Sequence, residues 1–539
     1  MAQKRPFKGQ QIGGKRHKKQ KKITSNEGSN EEVLLADVRK LLQEIKIAKD
    51  DKSLPDVQSE IELDITELSS TGDGLAQKNG QVYVVPFAAP GDTVQARVYK
   101  HMAEEPYSLT DFLRVVKPSE HRTETPPCPY FAQCSGCQFQ CLPYSYQLAH
   151  KRRVVEKAYA NFSGLPPSAV PAVEETIGSP LQYGYRTKLT PHFDGPPNGR
   201  KDKRAGKQVT WPEVPPIGFM KKGTRKTLDI EDCPIGTEAV RLGMASERKR
   251  VARDIDKYQR GATLLLREST ERISKASSEA NGTVTNADSL HGVVSEDRGT
   301  NVHRKTCITD NKATSTEYID DFRFDNPAGA FFQNNNSILP LVTQYIRDNI
   351  FATSQDQAVT DSKPQIKNLV DAYSGSGFFT ITLSSLFSNS IGIDISPESI
   401  ASATRNAELN NLPASSTKFI AADASALFES LDTQVFEPEE TVVVLDPPRK
   451  GCDESFIRQL IAYGPERICY VSCNVHTQAR DVGWLVGGFE KDGEEADGWY
   501  EIESLRGFDF FPQTSHVEGV AILRKKTKLE TNQEKAGAE

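Results

Sequence analysis

An open α/β fold with a buried parallel sheet is expected in the C-terminal part of this chain, and three apolar runs predict it. Thr441-Val442-Val443-Val444-Leu445 is β-branched without polar alternation, as a strand covered on both faces requires, and it breaks at Asp446-Pro447-Pro448-Arg449. Arg467 to Val471 is a second run, ending on Ser472-Cys473-Asn474. Lys367 to Ala372 is a third; it enters Tyr373-Ser374-Gly375-Ser376-Gly377 and a helical stretch, Phe378 to Leu386. Strands that stop this way bring their last side chains to the carboxyl edge of a sheet, where open α/β proteins hold ligands.

The 539 residues are too many for one core and imply two to three domains. No apolar run approaches the length of a membrane span. The net charge of -6 hides an asymmetry: residues 1–22 hold nine Lys or Arg and no acid, which leaves -15 for the remainder. Nine cysteines without a secretory leader point to a reducing compartment, where thiols serve chemistry or metals. The run Lys15-Arg16-His17-Lys18-Lys19-Gln20-Lys21-Lys22 reads as a nuclear-localisation or nucleic-acid-binding arm, or else as a plain solvated tail.

Asn30 to Lys49 has the apolar spacing of an amphipathic helix. Residues 56–117 alternate as short strands, Ser59 to Leu68, Gln81 to Phe87, Thr93 to His101 and Leu113 to Lys117, with turns at Gly72–Gly74 and Pro90–Asp92, which predicts a small β-barrel. Cys128, Cys134 and Cys137, completed by Cys233, can converge on one soft centre. Four thiolates satisfy zinc as well as an iron–sulfur cluster, no metal at all is a third reading, and Cys141 could substitute for a ligand. Tyr183 to Leu189, Ile217 to Phe219 and Leu228 to Ile230 are strand-like, with a basic loop from Arg200 to Lys207. Ser269 to Ser315 is so polar that a disordered insertion is expected.

The glycines of Gly375-x-Gly377 allow a sharp turn and close approach to a ligand, and Asp394, closing Ile391-Gly392-Ile393-Asp394, can accept two ribose hydroxyls. That is a nucleoside site. Phe378 stands where a dinucleotide site would carry a third glycine over a pyrophosphate. Cys473 is a candidate nucleophile, weighed against a half-buried structural thiol. Glu518 lies among Val517, Val520, Ala521 and Ile522, a costly position for a carboxylate without a task or a partner.

Taken in series, Phe331-x-Gln333-x-Asn335, Asp371-x-Tyr373-x-Gly375-x-Gly377, Asp446-Pro447-Pro448-Arg449, Ser472-Cys473-Asn474 and Phe511-Pro512-x-Thr514-x-His516-x-Glu518 resemble the RNA uracil-5-methyltransferases, most closely the eukaryotic tRNA (uracil-5-)-methyltransferases. The resemblance extends over most of residues 56–525. It implies a class I S-adenosylmethionine-dependent, Rossmann-like methyltransferase domain over 331–525. Before it come a TRAM domain, an OB-like RNA-binding barrel, over 56–117 and a central α+β domain over 118–330 that carries the insertion at about 269–315; a basic arm and short helix (1–55) and a disordered tail (526–539) complete the chain.

For the site, the resemblance implies that Cys473 adds to C6 of uracil and Glu518 removes the C5 proton, with Asp446 orienting the base. Gln333, Tyr373, Asp394 and Asp446 would bind S-adenosylmethionine, and Asp423 would approach its adenine. In bacterial ribosomal RNA members, cysteines matching Cys128, Cys134, Cys137 and Cys233 hold a [4Fe-4S] cluster; structural zinc is the alternative here. The expected substrate is tRNA, at uridine 54 of the T-loop, with Arg186 and Lys188 on its phosphates. The alternatives are ribosomal RNA and a tRNA-folding chaperone. A monomer in the nucleus or cytoplasm, without membrane or obligate protein partner, is expected. A cytosine-5 methyltransferase would need an acid for cytosine N3 and different motifs, and no carboxylate cluster supports a nuclease. Two departures stand out: Phe378 replaces a common Asn, and Val475 replaces the proline that often follows Ser-Cys-Asn.

Overall fold

A computed structural model describes residues 28–43, 54–199, 204, 206, 209–276, 292–351, 365–423, 427–428, 431–489 and 498–526. The basic run at 15–22, the end of the helix expected to reach Lys49, most of the loop at 200–207 and the tail after Lys526 lie outside the described residues.

Five strands, β1 (Glu60–Leu68), β2 (Gly74–Lys78), β3 (Gln81–Val85), β4 (Thr93–His101) and β5 (Tyr107–Lys117), close into a barrel in the order β1-β2-β3-β5-β4. Period-two alternation turns Leu63, Ile65, Tyr83, Val85, Val94, Ala96 and Val98 inward. The short β2 went unpredicted because its five residues follow directly on a turn. Outside the barrel, helix α1 (Asn30–Gln43) buries Val38 against Leu75, Val82, Val84 and Tyr107. Asp37 of α1, itself buried, accepts a hydrogen bond from Ser70 N at 2.6 Å and pairs with Lys157 at 3.4 Å.

The C-terminal sheet has eight strands: β6 (Glu174–Ile177), β7 (Asn368–Ala372), β8 (Asn389–Asp394), β9 (Thr417–Ala421), β10 (Thr441–Leu445), β11 (Arg467–Ser472), β12 (Tyr500–Phe508) and β13 (Glu518–Lys525), in the order β9-β8-β7-β10-β11-β13-β12-β6. The first five in that order are parallel, and β13 runs antiparallel to β11 and β12. Every residue of β7, β10 and β11 is buried. Val370, Val443 and Ile468 face one core layer, while Leu369, Val442, Val444 and Cys469 face the other. At about 1.5–3 kcal/mol for each large aliphatic side chain removed from water, this double burial fixes the sheet's position and register.

Two elements upstream of residue 330 belong to this sheet. β6 is its eighth strand, and helix α2 (Tyr144–Phe162) supplies Val154, Val155, Ala158 and Tyr159 to one of its core layers. The buried ammonium of Lys151 on α2 pairs with buried Asp509 and donates to Phe511 O at 3.0 Å. Among the described residues, the rest of the central region forms two four-stranded antiparallel sheets and a two-stranded hairpin, Thr314–Ile319 with Phe322–Pro327.

The insertion expected to be disordered is instead partly a β-ribbon. Leu266–Ser274 pairs along its length with Asn301–Ile308, which also pairs with Val294–Arg298; residues 277–291 lie outside the described residues. Its strands are polar because ion pairs and long stems do much of the packing. Arg267 and Glu317 form a buried pair, Lys305 reaches Glu296 at 2.7 Å, and Arg272 covers the Tyr318 ring at 4.2 Å. Among the described residues no helix is long and apolar enough to cross a membrane.

Lys151→Met strands the Asp509 carboxylate without its cation, a loss of about 3–5 kcal/mol for a broken buried pair. The midpoint of thermal unfolding, followed by circular dichroism, should fall by about 6–15 °C.

Candidate active site

The register of the sheet determines which side chains meet at its edge. Asp371 pairs with Val444, Val444 with Cys469, and Cys469 with Ile522. Because side chains repeat every second residue, Asp371, Asp446, Cys473 and Glu518 all belong to one face, at the carboxyl ends of β7, β10 and β11 and the start of antiparallel β13. Cys473 is next in line opposite Glu518, since Ser472 pairs with Gly519. Glu518 is 2% exposed; Cys473 is half-buried and opens into a cleft of about 360 Å³ with Arg449, Asn474 and His516 in its wall.

Their proximity shows in their acidities. Burial pushes the Cys473 thiol up to about 12, helped by the carboxylates of Glu518 and Asp446 and opposed by the Arg449 guanidinium. Glu518 is raised well above the carboxylate range by burial first and Asp446 second, against Arg449. Asp446 rises to about 7 through burial and the nearby Asp371. Asp371 also rises to about 7 through burial, even though its Oδ2 accepts from Thr380 N at 2.9 Å and Thr380 Oγ1 at 2.6 Å. Helix α3 (Val475–Gly487) begins two residues after Cys473, so its N-terminal amide dipoles favour a thiolate there. Val475 occupies the first helical position and is buried, which accounts for an apolar residue at a site where proline also fits.

The loop that carries Cys473 and the Asp446–Cys452 loop are locked together. Asn474 Nδ2 donates to Arg449 O at 2.9 Å, and Asp481 of α3 accepts from Cys452 N at 2.7 Å and from Tyr470 Oη at 2.5 Å. Gly451, at φ +75°, is obligatory: a Cβ would stand 2.6 Å from Asp481 Oδ2. The loop before Glu518 is braced by upstream segments. Gln513 O accepts from Gln138 N and Phe139 N at 2.8 and 3.0 Å, Tyr185 donates to Pro512 O at 3.1 Å, and Asn335 Nδ2 donates to Phe510 O at 3.1 Å. Gln333 is half-buried in the segment that Asn335 thereby ties to this loop. Arg186 and Lys188, expected on phosphates, are engaged internally: Arg186 Nε donates to Lys188 O, and Lys188 Nζ donates to Gly329 O and Ala330 O.

The segments expected to hold the cofactor line the ends of β7 and β8. Asp394 accepts from Gly375 N at 3.0 Å and Ser396 N at 2.8 Å, and Ser396 caps the next helix by accepting from Ser399 N. Tyr373, at φ +64°, points to the opposite face and packs its ring against Phe456. Among the described residues, Ser374 Oγ and Asp371 Oδ1 are buried without hydrogen-bond partners, so the loop offers polar atoms for a ligand to satisfy. Asp423 is exposed just past β9.

Cys128, Cys134, Cys137 and Cys233 are close enough to disfavour one another's ionisation: Cys233 rises to about 12 through burial first, with Cys134 and Cys128 adding to it. Cys137 is raised further by burial and by Cys233. Among the described residues, however, no three His, Cys, Asp or Glu side chains converge closely enough to hold a single metal ion.

Residues 322–526 match the tRNA (Uracil-5-)-methyltransferase family, and residues 56–102 match the TRAM domain. The chain is 42% identical to the tRNA (uracil(54)-C(5))-methyltransferase of Schizosaccharomyces pombe, covering 94% of this chain and 86% of that protein. It is 39% identical to the Saccharomyces cerevisiae protein of the same name, covering 93% and 79%. The chain belongs to the tRNA (uracil-5-)-methyltransferase family. Its fold is also that of the Pyrococcus abyssi tRNA (uracil-54, C5)-methyltransferase solved in complex with S-adenosyl-L-homocysteine, with a TM-score of 0.55 at 22% identity over 86% of this chain and all of that one.

Sequence reasoning missed the supports of this methyltransferase site. Asp481, Tyr470 and Lys151 received no role, although polar groups within apolar helical or strand patterns signal a buried partner. Arg449 stands out in the sequence only as part of a motif, yet it is the cation that opposes the carboxylates around Cys473.

The Asp371 carboxyl, raised from 3.8 to about 7, holds its proton in the folded state where the unfolded chain releases it. Its contribution to stability is therefore complete below about pH 4 and lost as pH rises to 7. Asp371→Asn should flatten the decline in melting temperature between pH 5 and 8, as measured by scanning fluorimetry; an unaltered slope would refute the assignment.

Proposed function

We propose that this methyltransferase transfers a methyl group from S-adenosylmethionine to C5 of uridine 54 in the T-loop of tRNA, giving 5-methyluridine. The observation that carries the reading is the thiol of Cys473 in register with the carboxyl of Glu518 at one sheet edge. C5 of uracil is too weak a nucleophile to take a methyl group unaided. Cys473 therefore forms a bond from sulfur to C6, and the electron pair moves to C5 as an enolate. Arg449 and the N-terminus of α3 favour the thiolate against its burial. The target base must leave its stack to reach the cleft.

The Gly375–Gly377 loop, Asp394, Tyr373, Gln333 and Asp446 are the residues that would hold the cofactor, and the unpartnered Ser374 Oγ and Asp371 Oδ1 fit a polar ligand there. S-adenosylmethionine supplies an electrophilic methyl group on a sulfonium. Once C5 is methylated, Glu518, acting in its carboxylate form, takes the C5 proton, the C5–C6 double bond re-forms, and the C6–S bond breaks to return the thiolate. A carboxylate raised by burial is a stronger base than a solvated one, which suits it to a carbon acid. Asp446, partly buried beside it, keeps Glu518 basic by charge.

Cys473→Ala should abolish methyl transfer to tRNA while cofactor binding persists. Glu518→Gln should permit addition and methylation but stall elimination, so a protein–RNA adduct carrying the transferred methyl accumulates on denaturing gels. Near-normal turnover without adduct would exclude Glu518 as the base.

For the four cysteines the reading is a structural [4Fe-4S] centre. What supports the reading is that four cysteines, three of them close in sequence, disfavour one another's ionisation across one neighbourhood, and four thiolates suffice for such a cluster. Such a centre would brace Gln138 and Phe139, and through them the Gln513 loop. Protein purified without oxygen should be brown, with about four iron and four sulfide per chain; colourless protein with stoichiometric zinc would overturn this assignment.

A further inference from the structure

The cleft that holds Cys473 has a wall made by neither the sheet nor the barrel. Gly28, Asn30, Glu31, Val33 and Leu34, at the entry to α1, line it together with Cys473 and Asn474. Asn474, the residue after the thiol, is 8% exposed, and its side chain ties three segments together. Its Nδ2 donates to Arg449 O at 2.9 Å and to Gly28 O at 3.2 Å, which uses both amide protons, while its Oδ1 accepts from His476 N at 3.3 Å and caps α3.

Gly28 is held as firmly from its own side. Gly28 N donates to Glu32 Oε2 at 2.6 Å and Glu32 N donates to Ser29 Oγ at 3.3 Å, a reciprocal capping arrangement that fixes the first turn of the helix. The position admits glycine alone: φ is +68°, and a Cβ would lie 2.5 Å from Thr477 Cγ2 and 3.0 Å from Asn474 Nδ2. Packing on the barrel does not account for this contact, since Asp37 and Val38 anchor the middle of α1 to Ser70, Lys157 and the barrel and need nothing from Gly28. Stability does not account for it either. In an open cleft, water would satisfy the Asn474 amide nearly as well as Gly28 O does. Water would not hold that amide in one place, whereas a carbonyl fixed to a capped helix does, and the backbone so fixed is the one that carries Cys473.

We infer that Gly28 is a positioning residue for methyl transfer: through Asn474 it fixes the loop that carries Cys473, so that the thiol meets C6 of the target uridine in bonding geometry. The entry of α1 is thereby part of the active site, although it lies outside both the barrel and the methyltransferase sheet. This rests on the reading of Cys473 as the nucleophile.

The test uses the full chain with Gly28→Ala, with Thr477→Ser, and with both. The probe is tRNA transcribed with 5-fluorouridine in place of uridine, together with S-adenosylmethionine. Cys473 sulfur bonds to C6 and the electron pair at C5 takes the methyl group; with fluorine in place of hydrogen, no proton leaves C5, so the C6–S bond persists and the adduct is counted on denaturing gels. At saturating tRNA and cofactor, Gly28→Ala should slow adduct formation about tenfold or more, the scale set by misplacing a reacting atom by less than an ångström. Kd for tRNA and for cofactor should stay within about twofold of wild type. Thr477→Ser removes the methyl group that the added Cβ strikes and keeps the hydroxyl that donates to Arg449 O at 3.2 Å. The double variant should therefore form adduct at least about threefold faster than Gly28→Ala.

Wild-type adduct formation by Gly28→Ala would overturn the inference, and so would weakened binding of cofactor or tRNA in place of a slower step. Amide hydrogen exchange of the peptide Ser472–Gln478, measured without RNA, should be faster in Gly28→Ala than in wild type; equal exchange would overturn the hold of Gly28 on the loop. A wild-type chain that forms no adduct would strike the proposed function instead, while the exchange comparison still decides whether Gly28 holds the loop.

Discussion

The period of a β-strand is the constraint on which this active site depends. Three parallel strands and one antiparallel strand, paired in fixed register, put Asp371, Asp446, Cys473 and Glu518 on a single face. A slip of one residue in any of these pairings would send that strand's side chain to the opposite core layer. The register is held by the apolar residues that alternate with the reactive ones. Val444, Cys469, Val471, Val520 and Ile522 anchor the same face that presents the thiol and the carboxyls.

That layer is also what makes the groups reactive. Carboxylates placed among aliphatic side chains, with one guanidinium opposing them, are disfavoured as anions, so their basicity rises. The arrangement costs stability, and the double-sided burial of β7, β10 and β11 offsets it. A site of this kind belongs in a large sheet whose two core layers can tolerate a few strained positions at one edge.

The edge itself is assembled from distant parts of the chain. α3 holds the Asp446–Cys452 loop through Asp481; the segment after Cys137 holds Gln513; the turn at Gly72 of the barrel abuts Ser515, where a Cβ would come within 2.7 Å of its Cβ. The barrel and the cysteine segment are therefore not appendages to a finished catalytic domain. They brace the loop that leads into Glu518, the cysteine segment through backbone hydrogen bonds to Gln513 O and the barrel through the close approach of Gly72 to Ser515.

How much of this was legible follows from the range of the forces involved. The strand ends at Asp446 and Cys473, the glycine turn at Gly375–Gly377 and the cap at Ser396 are local events, written in β-branched runs and the residues that break them, and they were read correctly from the sequence. The anomaly of Glu518 in an apolar strand was equally local. Tertiary structure alone decided that α2 and β6 complete the sheet, that Asp481 reaches back to Cys452, that a polar segment folds as a ribbon on the Arg267–Glu317 pair, and that Gly28 seats against Asn474. Each of these joins residues tens to hundreds of positions apart. Local propensity carries no record of such partners, because the free energy that selects them comes from surfaces that exist only after the strands have paired.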